Sequence, residues 1–246
     1  MPIIKRLGLV EFEPTWRAMQ EANKSRTSET PDEIWLLEHT PVFTLGLAGK
    51  REHVLAPGDI PVIKIDRGGQ VTYHGPGQLV IYLLLDIKRL GFGVKALVKK
   101  IEQSVIDLLA EYGIESFRKG GMPGVYVKSP SPSVPLPRGA REETLAPPPP
   151  WGRGWGEGAE NEWTTDAKIS AIGLRVANHA TYHGLSLNID MDLEPFTRIN
   201  PCGYEGLAVT QMRDYGADFG NEDKMQVIGD KLVTHLSQQL YGTHHG

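Results

Sequence analysis

An α/β fold is predicted for this chain by three observations. Short apolar strands separated by Gly and Pro crowd residues 34 to 85, a helix of strong 3.6-residue periodicity covers 94 to 112, and strand patterns return after residue 124 ahead of a last helix. With 246 residues the chain can bury a full core, either as one large α/β domain or as a domain with appendages.

The elements follow in order. A first helix is expected from Pro14 to about Arg26, because Pro14 suits a first turn and Trp16, Met19 and Ala22 or Asn23 fall on one side. Strands are expected at Ile34 to Glu38, Val42 to Leu45, Val62 to Ile65, Val71 to Tyr73 and Gln78 to Leu85. The run Leu79-Val80-Ile81-Tyr82-Leu83-Leu84-Leu85 ends at Asp86, far short of the roughly 20 residues that span a bilayer, and reads as a buried central strand. The main helix, Val94 to Tyr112, carries Leu97, Val98, Ile101, Val105, Leu108, Leu109 and Tyr112 at helical spacing and stops at Gly113. Gly124 to Val127 and Lys168 to Val176 look like two arms of one hairpin, and Thr181 to Ile189 alternates as a further strand. A last helix, about Glu222 to Leu240, has Asn221 as its expected cap and Met225, Ile228, Leu232 and Leu236 on one face.

Between the hairpin arms the composition changes. Ser129-Pro130-Ser131-Pro132-Ser133, four prolines at 147 to 150 and Trp151-Gly152-Arg153-Gly154-Trp155-Gly156 cannot bury enough apolar surface to offset the entropy of ordering. Residues of about 128 to 165 are therefore expected to be a disordered or loosely docked insertion, with a proline-rich ligand for a partner as the functional alternative.

Composition excludes several classes. A net charge of −4 with both signs interspersed argues against nucleic-acid binding, which needs a concentrated basic face. One cysteine excludes an internal disulfide framework, and Met1 to Arg6 runs into Glu11 and Glu13 without an apolar leader, so the expected compartment is the cytoplasm, away from membranes.

Three features bear on chemistry. Cys202 sits in Arg198-Ile199-Asn200-Pro201-Cys202-Gly203-Tyr204, a heavily punctuated turn; the thiol is either a small buried hydrophobe or a nucleophile. Arg67-Gly68-Gly69-Gln70-Val71-Thr72-Tyr73-His74-Gly75-Pro76-Gly77-Gln78 places four glycines, an arginine and a histidine in twelve residues. Its backbone can approach a phosphate, a carboxylate or an acyl carbonyl, and it matches neither the dinucleotide fingerprint nor the P-loop. Lys168 opens an otherwise apolar strand, where it is either a solvated end or points into a polar cavity. A metal site from His179, His183 and Cys202 has no second cysteine, paired acid or standard zinc spacing behind it, so no metal is expected.

Taken together and in this order, Arg67 to Gln78, Lys168 to Val176, His183 to Asn188 and Asn200-Pro201-Cys202-Gly203 resemble the octanoyltransferases of lipoate biosynthesis, over roughly Ile34 to Thr210 apart from the insertion. The resemblance implies a single α/β domain of the α+β type, its mixed sheet flanked by helices like the catalytic core of biotin and lipoate protein ligases. It also implies octanoyl-acyl carrier protein as donor, and as acceptors the lipoyl domains of 2-oxoacid dehydrogenase complexes and the H protein of glycine cleavage. A monomer without a cofactor is expected. The family's roles fall on Cys202 as nucleophile and on Lys168 as the residue that favours its thiolate and handles protons. The substrate pocket falls on Arg67, Gly68, Gly69, Gln70, Val71, Thr72, Tyr73, His74, Ala171, Ile172, Gly173, Gly184, Leu185 and Ser186. Gly184-Leu185-Ser186 departs from the expected Gly-Leu-Ala. The second reading is an ATP-dependent lipoate or biotin ligase on the same fold, which needs no cysteine; the third is a catalytically silent binder of lipoyl domains.

Overall fold

The computed structural model describes residues 1–128, 166–220 and 223–242. The elements are β1 (Ile3–Val10), α1 (Phe12–Lys24), β2 (Glu33–His39), β3 (Val42–Leu45), β4 (Val62–Lys64), β5 (Val71–His74), β6 (Gln78–Leu84), α2 (Ile87–Leu90), α3 (Val94–Glu111), β7 (Ser116–Lys119), β8 (Met122–Lys128), β9 (Asp166–Ala177), β10 (Ala180–Asn188) and α4 (Lys224–Tyr241). Among the described residues no helix is long and apolar enough to cross a membrane.

Two sheets form. The larger has the order β1-β2-β6-β10-β9-β8-β7 and the smaller β4-β3-β5. The β1–β2 pair is parallel and the other pairs of the larger sheet are antiparallel, so it is mixed as expected. Every residue of β6 is buried, because this strand is covered on both faces. On one face Ile34, Leu36, Leu79, Ile81 and Leu187 pack against Leu97, Ile101, Val105 and Leu108 of α3 and Ile228, Leu232 and Leu236 of α4. On the other, Trp35, Leu37, Val80, Tyr82 and Tyr182 meet Met19 of α1.

Several boundaries differ from expectation. Helix α1 begins at Phe12, ahead of Pro14, since Phe12 is drawn into a buried cluster with Val42 and Ile65 while Pro14 stays within the first turn, where no amide is needed. Helix α4 is capped by Asp223, whose Oδ1 accepts from the amides of Met225 (2.9 Å) and Gln226 (3.4 Å). Asn221, expected in that role, lies outside the described residues together with Glu222. Strands β1 and β7 have no strong signal in the sequence: β1 is a largely exposed edge strand and β7 has four residues.

The expected hairpin forms: Gly124 pairs with Ala171 and Lys128 with Asp166, antiparallel, with a register shift between Val125 and Tyr126. Apart from Lys128, the Pro- and Gly-rich insertion lies outside the described residues. A two-residue turn of Asn178 (φ 53°) and His179 (φ 61°) then joins β9 to β10. Consequently β6, β10, β9 and β8 lie side by side, and residues far apart in sequence share one face.

Candidate active site

These strands border a cavity of about 380 Å³, and part of its floor is made of residues with little or no side chain. Two cross-strand pairs build it, Ser186 with Ala171 beside Val80, and Gly184 with Gly173 beside Tyr82. The sheet's register thus converts two short glycine-containing stretches into one depression. Apolar walls come from Phe12, Ile65, Val71, Ile172, Leu174 and Leu185, and α3 contributes Val94 and Val98.

Cys202 stands at the rim beside Lys168, Met122, Pro123 and Tyr204. It adopts a left-handed backbone, φ 58° and ψ 11°, which for a side chain with a Cβ costs about 1–2 kcal/mol. The turn is held regardless: the Gly203 amide donates to the Asn200 carbonyl (2.9 Å), Tyr204 to Pro201 (3.1 Å), and the Asn200 amide to His53 (2.9 Å). Strain held at a half-buried thiol marks a residue whose direction matters.

Lys168 is 5 % exposed. Its backbone is clamped on both sides, the amide donating to the Ala208 carbonyl (2.8 Å) and its own carbonyl accepting from the Thr210 amide (3.0 Å). The ammonium donates to the Pro123 carbonyl (2.9 Å), lies 5.3 Å from the Tyr126 ring centroid and reaches Cys202 Sγ at 3.1 Å. Of the two readings the sequence left open, this is the polar-cavity one. The contact sets a buried cation directly against the sulfur.

Arg67 is held by the protein around it. It lines the cavity, but its two terminal nitrogens are engaged by protein: Nη1 donates to the Gly68 carbonyl (2.8 Å), and Nη2 to the Thr44 carbonyl (2.9 Å), the Thr44 hydroxyl (3.0 Å) and the Gln70 carbonyl (2.8 Å). The guanidinium organises the glycine turn. Burial lowers its pKa to about 10, with the Cys202 charge opposing the shift, so at neutral pH it remains a cation. Gly68, Gly69, Gln70, Val71 and Thr72 line the cavity as expected, and Gln70 also fixes the Lys50 amide through Oε1 (3.1 Å). Tyr73 does not line it; strand alternation turns the ring toward Phe43 and Phe196, at centroid distances of 5.5 Å each.

Phe12, His74, Tyr82 and His183 also line the cavity and belong to a buried aromatic cluster; of these His74 was expected in the pocket, the cluster was not. His74 bonds Gln78 Oε1 through Nδ1 (2.6 Å) and stacks on Phe12 (6.1 Å), while His39 Nε2 and the Tyr82 hydroxyl are 2.7 Å apart. His183, at φ 60°, breaks the alternation of β10, so that its ring stacks on that of Tyr182 (5.1 Å) and both reach Asp66. Trp16 Nε1 adds a bond to Asp66 (2.9 Å). His179 is exposed in the β9–β10 turn, away from this cluster, and among the described residues no group of three or more His, Cys, Asp or Glu is placed to hold a metal.

Burial sets the charge of the cluster. Desolvation, then the neighbouring His39, pushes His74 down to about 3; desolvation likewise pushes His39 down to about 4, against its bond to the Val10 carbonyl. The unfolded chain takes up these protons near pH 6.5, and the folded chain does so only at its lowered values. Stability therefore falls as pH drops below 6.5, by about 1.4 kcal/mol per unit for each histidine until its folded value is passed. Urea unfolding followed from pH 7 to pH 5 is expected to show a steadily falling midpoint; a flat midpoint contradicts the assignment.

Comparison with known proteins shows the family. The lipoyl protein ligase A/B catalytic domain family matches residues 13–236. The octanoyltransferase of Dechloromonas aromatica is 52 % identical over 239 residues, covering 97 % of both chains. The chain belongs to the octanoyltransferase family. That of Laribacter hongkongensis is 49 % identical over 98 % of this chain and 97 % of its own.

Solved structures share the fold at low identity. A lipoate-protein ligase A bound with ATP superposes with a TM-score of 0.63 at 13 % identity, over 98 % of this chain and 85 % of its own. The bipartite lipoate protein ligase of Thermoplasma acidophilum gives 0.59 at 14 % identity, over 97 % and 84 %. Membership makes the chain an acyltransferase on the lipoate-ligase core, as the sequence led us to expect; the ATP-dependent ligase reading is not favoured. An octanoyltransferase needs a place for an acyl chain, and the bare floor of Ala171, Gly173, Gly184 and Ser186 suits one.

Proposed function

We propose that this chain transfers an octanoyl group from octanoyl-acyl carrier protein to the lysine of apo-lipoyl domains through a thioester on Cys202. The observation that carries the reading is the 3.1 Å approach of Lys168 Nζ to Cys202 Sγ at the rim of an apolar cavity. The Cys202 thiolate attacks the donor thioester; the carrier's sulfur leaves and takes a proton from the Lys168 ammonium. The neutral lysine then accepts a proton from the incoming amine as it attacks, and the Cys202 thiolate is released. A thioester intermediate keeps the acyl carbon activated through both halves, which a serine ester does not.

The tail lies over the small-residue floor. Each buried methylene contributes about 0.8 kcal/mol, roughly 5 kcal/mol for an octanoyl tail, while one carbon more or less discriminates by only about 1–3 kcal/mol. We read residues 1–246 as one acyltransferase domain carrying an insertion, acting as a monomer in the cytoplasm. Its acceptors are the lipoyl domains of 2-oxoacid dehydrogenase complexes and the H protein of glycine cleavage. For docking, the exposed Lys50 and Arg51 beside Gln70 are better placed than Lys88 and Arg89, since Arg89 is tied to Asp32 (2.7 Å).

The test is a mixture of octanoyl-acyl carrier protein and apo-lipoyl domain without ATP. The expected result is octanoylated lipoyl domain by mass; transfer only from free octanoate plus ATP restores the ligase reading.

A further inference from the structure

Glu102 is the only charged residue among those that helix α3 buries. It is 6 % exposed, one position from the fully buried Ile101, and no step of the reaction above uses it. Its two oxygens are spoken for in different directions. Oε2 meets Arg118 Nε at 3.2 Å, and Oε1 accepts from the Gly124 amide at 3.1 Å.

The second of these contacts leads toward the thiol. Gly124 sits at φ +136°, in a conformation open to glycine, and a Cβ there meets Lys168 Cε at 2.6 Å, Nζ at 3.1 Å and the Ser170 carbonyl at 2.5 Å. Its missing side chain is the room through which the Lys168 stem passes. The residue before it, Pro123, supplies the carbonyl that receives the Lys168 ammonium at 2.9 Å. Pro123 O and Gly124 N belong to one rigid peptide unit. A carboxylate that holds the N–H of that unit therefore also aims its carbonyl oxygen, and with it the ammonium 3.1 Å from Cys202 Sγ.

We propose that Glu102 is a positioning residue: by fixing the Pro123–Gly124 peptide it sets the distance between Lys168 and Cys202. The inference rests on the reading of Lys168 as the partner of the Cys202 thiolate. On the β7 side the peptide falls in a register shift, between the Arg118–Val125 and Lys119–Met122 pairs, where that ladder does not hold the strand, so an added anchor has an effect there. Arg118 Nε in turn balances the charge of Glu102, which buried carboxylates require.

The experiment follows the rate of Cys202 alkylation against pH in the full chain, with thermal unfolding measured alongside. Lys168→Ala is the reference, expected to move the profile to higher pH. Glu102→Met keeps side-chain length and removes the charged acceptor; Glu102→Asp keeps the charge beside Arg118 but is too short to reach the Gly124 amide. Both are expected to move the profile in the same direction as Lys168→Ala and to lower the rate at pH 7 by about tenfold. Glu102→Gln retains an oxygen that accepts from the amide and is expected to stay on the wild-type curve.

A folded Glu102→Met or Glu102→Asp protein on the wild-type curve, with Lys168→Ala displaced, overturns the positioning role. So does a Glu102→Gln profile displaced as far as that of Lys168→Ala, because charge and not the hydrogen bond then acts. If Lys168→Ala itself leaves the curve unmoved, the Lys168–Cys202 reading fails instead.

Discussion

Cys202→Ala is expected to take up no octanoyl group: intact-protein mass after exposure to octanoyl-acyl carrier protein shows one added acyl group on the wild type and none on the variant. Multiple-turnover transfer to the lipoyl domain falls by at least about a thousandfold, the scale on which removal of a nucleophile acts. The fold is untouched, because alanine meets the same backbone cost at φ 58° and the turn is held by main-chain bonds from Gly203, Tyr204 and Asn200. An acyl adduct surviving on the variant moves the covalent step elsewhere and removes Cys202 from it.

Lys168→Ala is the second large effect. The ammonium sits 3.1 Å from Sγ and is 5 % exposed, so bulk water does not replace its charge. Transfer is expected to fall by about 10²–10⁴, the usual contribution of a positioned acid–base group. The losses divide by step: loading slows where the thiolate is scarcer, and amine attack slows for want of a proton acceptor. Lys168→Met, which keeps the stem over Tyr126, separates packing from charge. Should Lys168→Met turn over at the wild-type rate while folded, proton handling belongs to another group.

How far the sequence carried these assignments differs residue by residue. The long helix α3 and the central strand β6 were legible because burial leaves a periodic trace in the chain itself. The edge strand β1 left none, since one side of it faces solvent and its Lys and Arg residues mask alternation. Lys168 and Cys202 were conspicuous as a charge in an apolar strand and a thiol in a tight turn, and they meet because the segment after Cys202 docks on β9 through the backbone bonds of Lys168 with Ala208 and Thr210. Arg67 shows a different limit. Its presence beside glycines was plain, but whether its guanidinium faces a ligand or its own backbone depends on Thr44, on another strand. Of the His39, His74, His183 and Asp66 cluster, His74 was expected in the pocket but its grouping with the others was not legible, because the members come from separate stretches of the chain, and Glu102 gave no signal because its partner Gly124 lies 22 residues away.

The bare floor of the cavity has a consequence for how acyl preference changes over evolutionary time. Its four positions are unequal. At Gly184 a single methyl group meets the Ile81 carbonyl oxygen at 2.1 Å, which holds that position as glycine, while at Gly173 it meets Arg67 Cδ at 3.1 Å, a tight contact that requires the arginine stem to shift by a few tenths of an ångström. Ala171 and Ser186, paired across the strands, already carry a Cβ. Substitutions that reshape the floor therefore fall most readily on two positions that are fifteen residues apart in the chain but face each other across β9 and β10, and at one of them, Ser186, a hydroxyl stands where a plain alanine was expected.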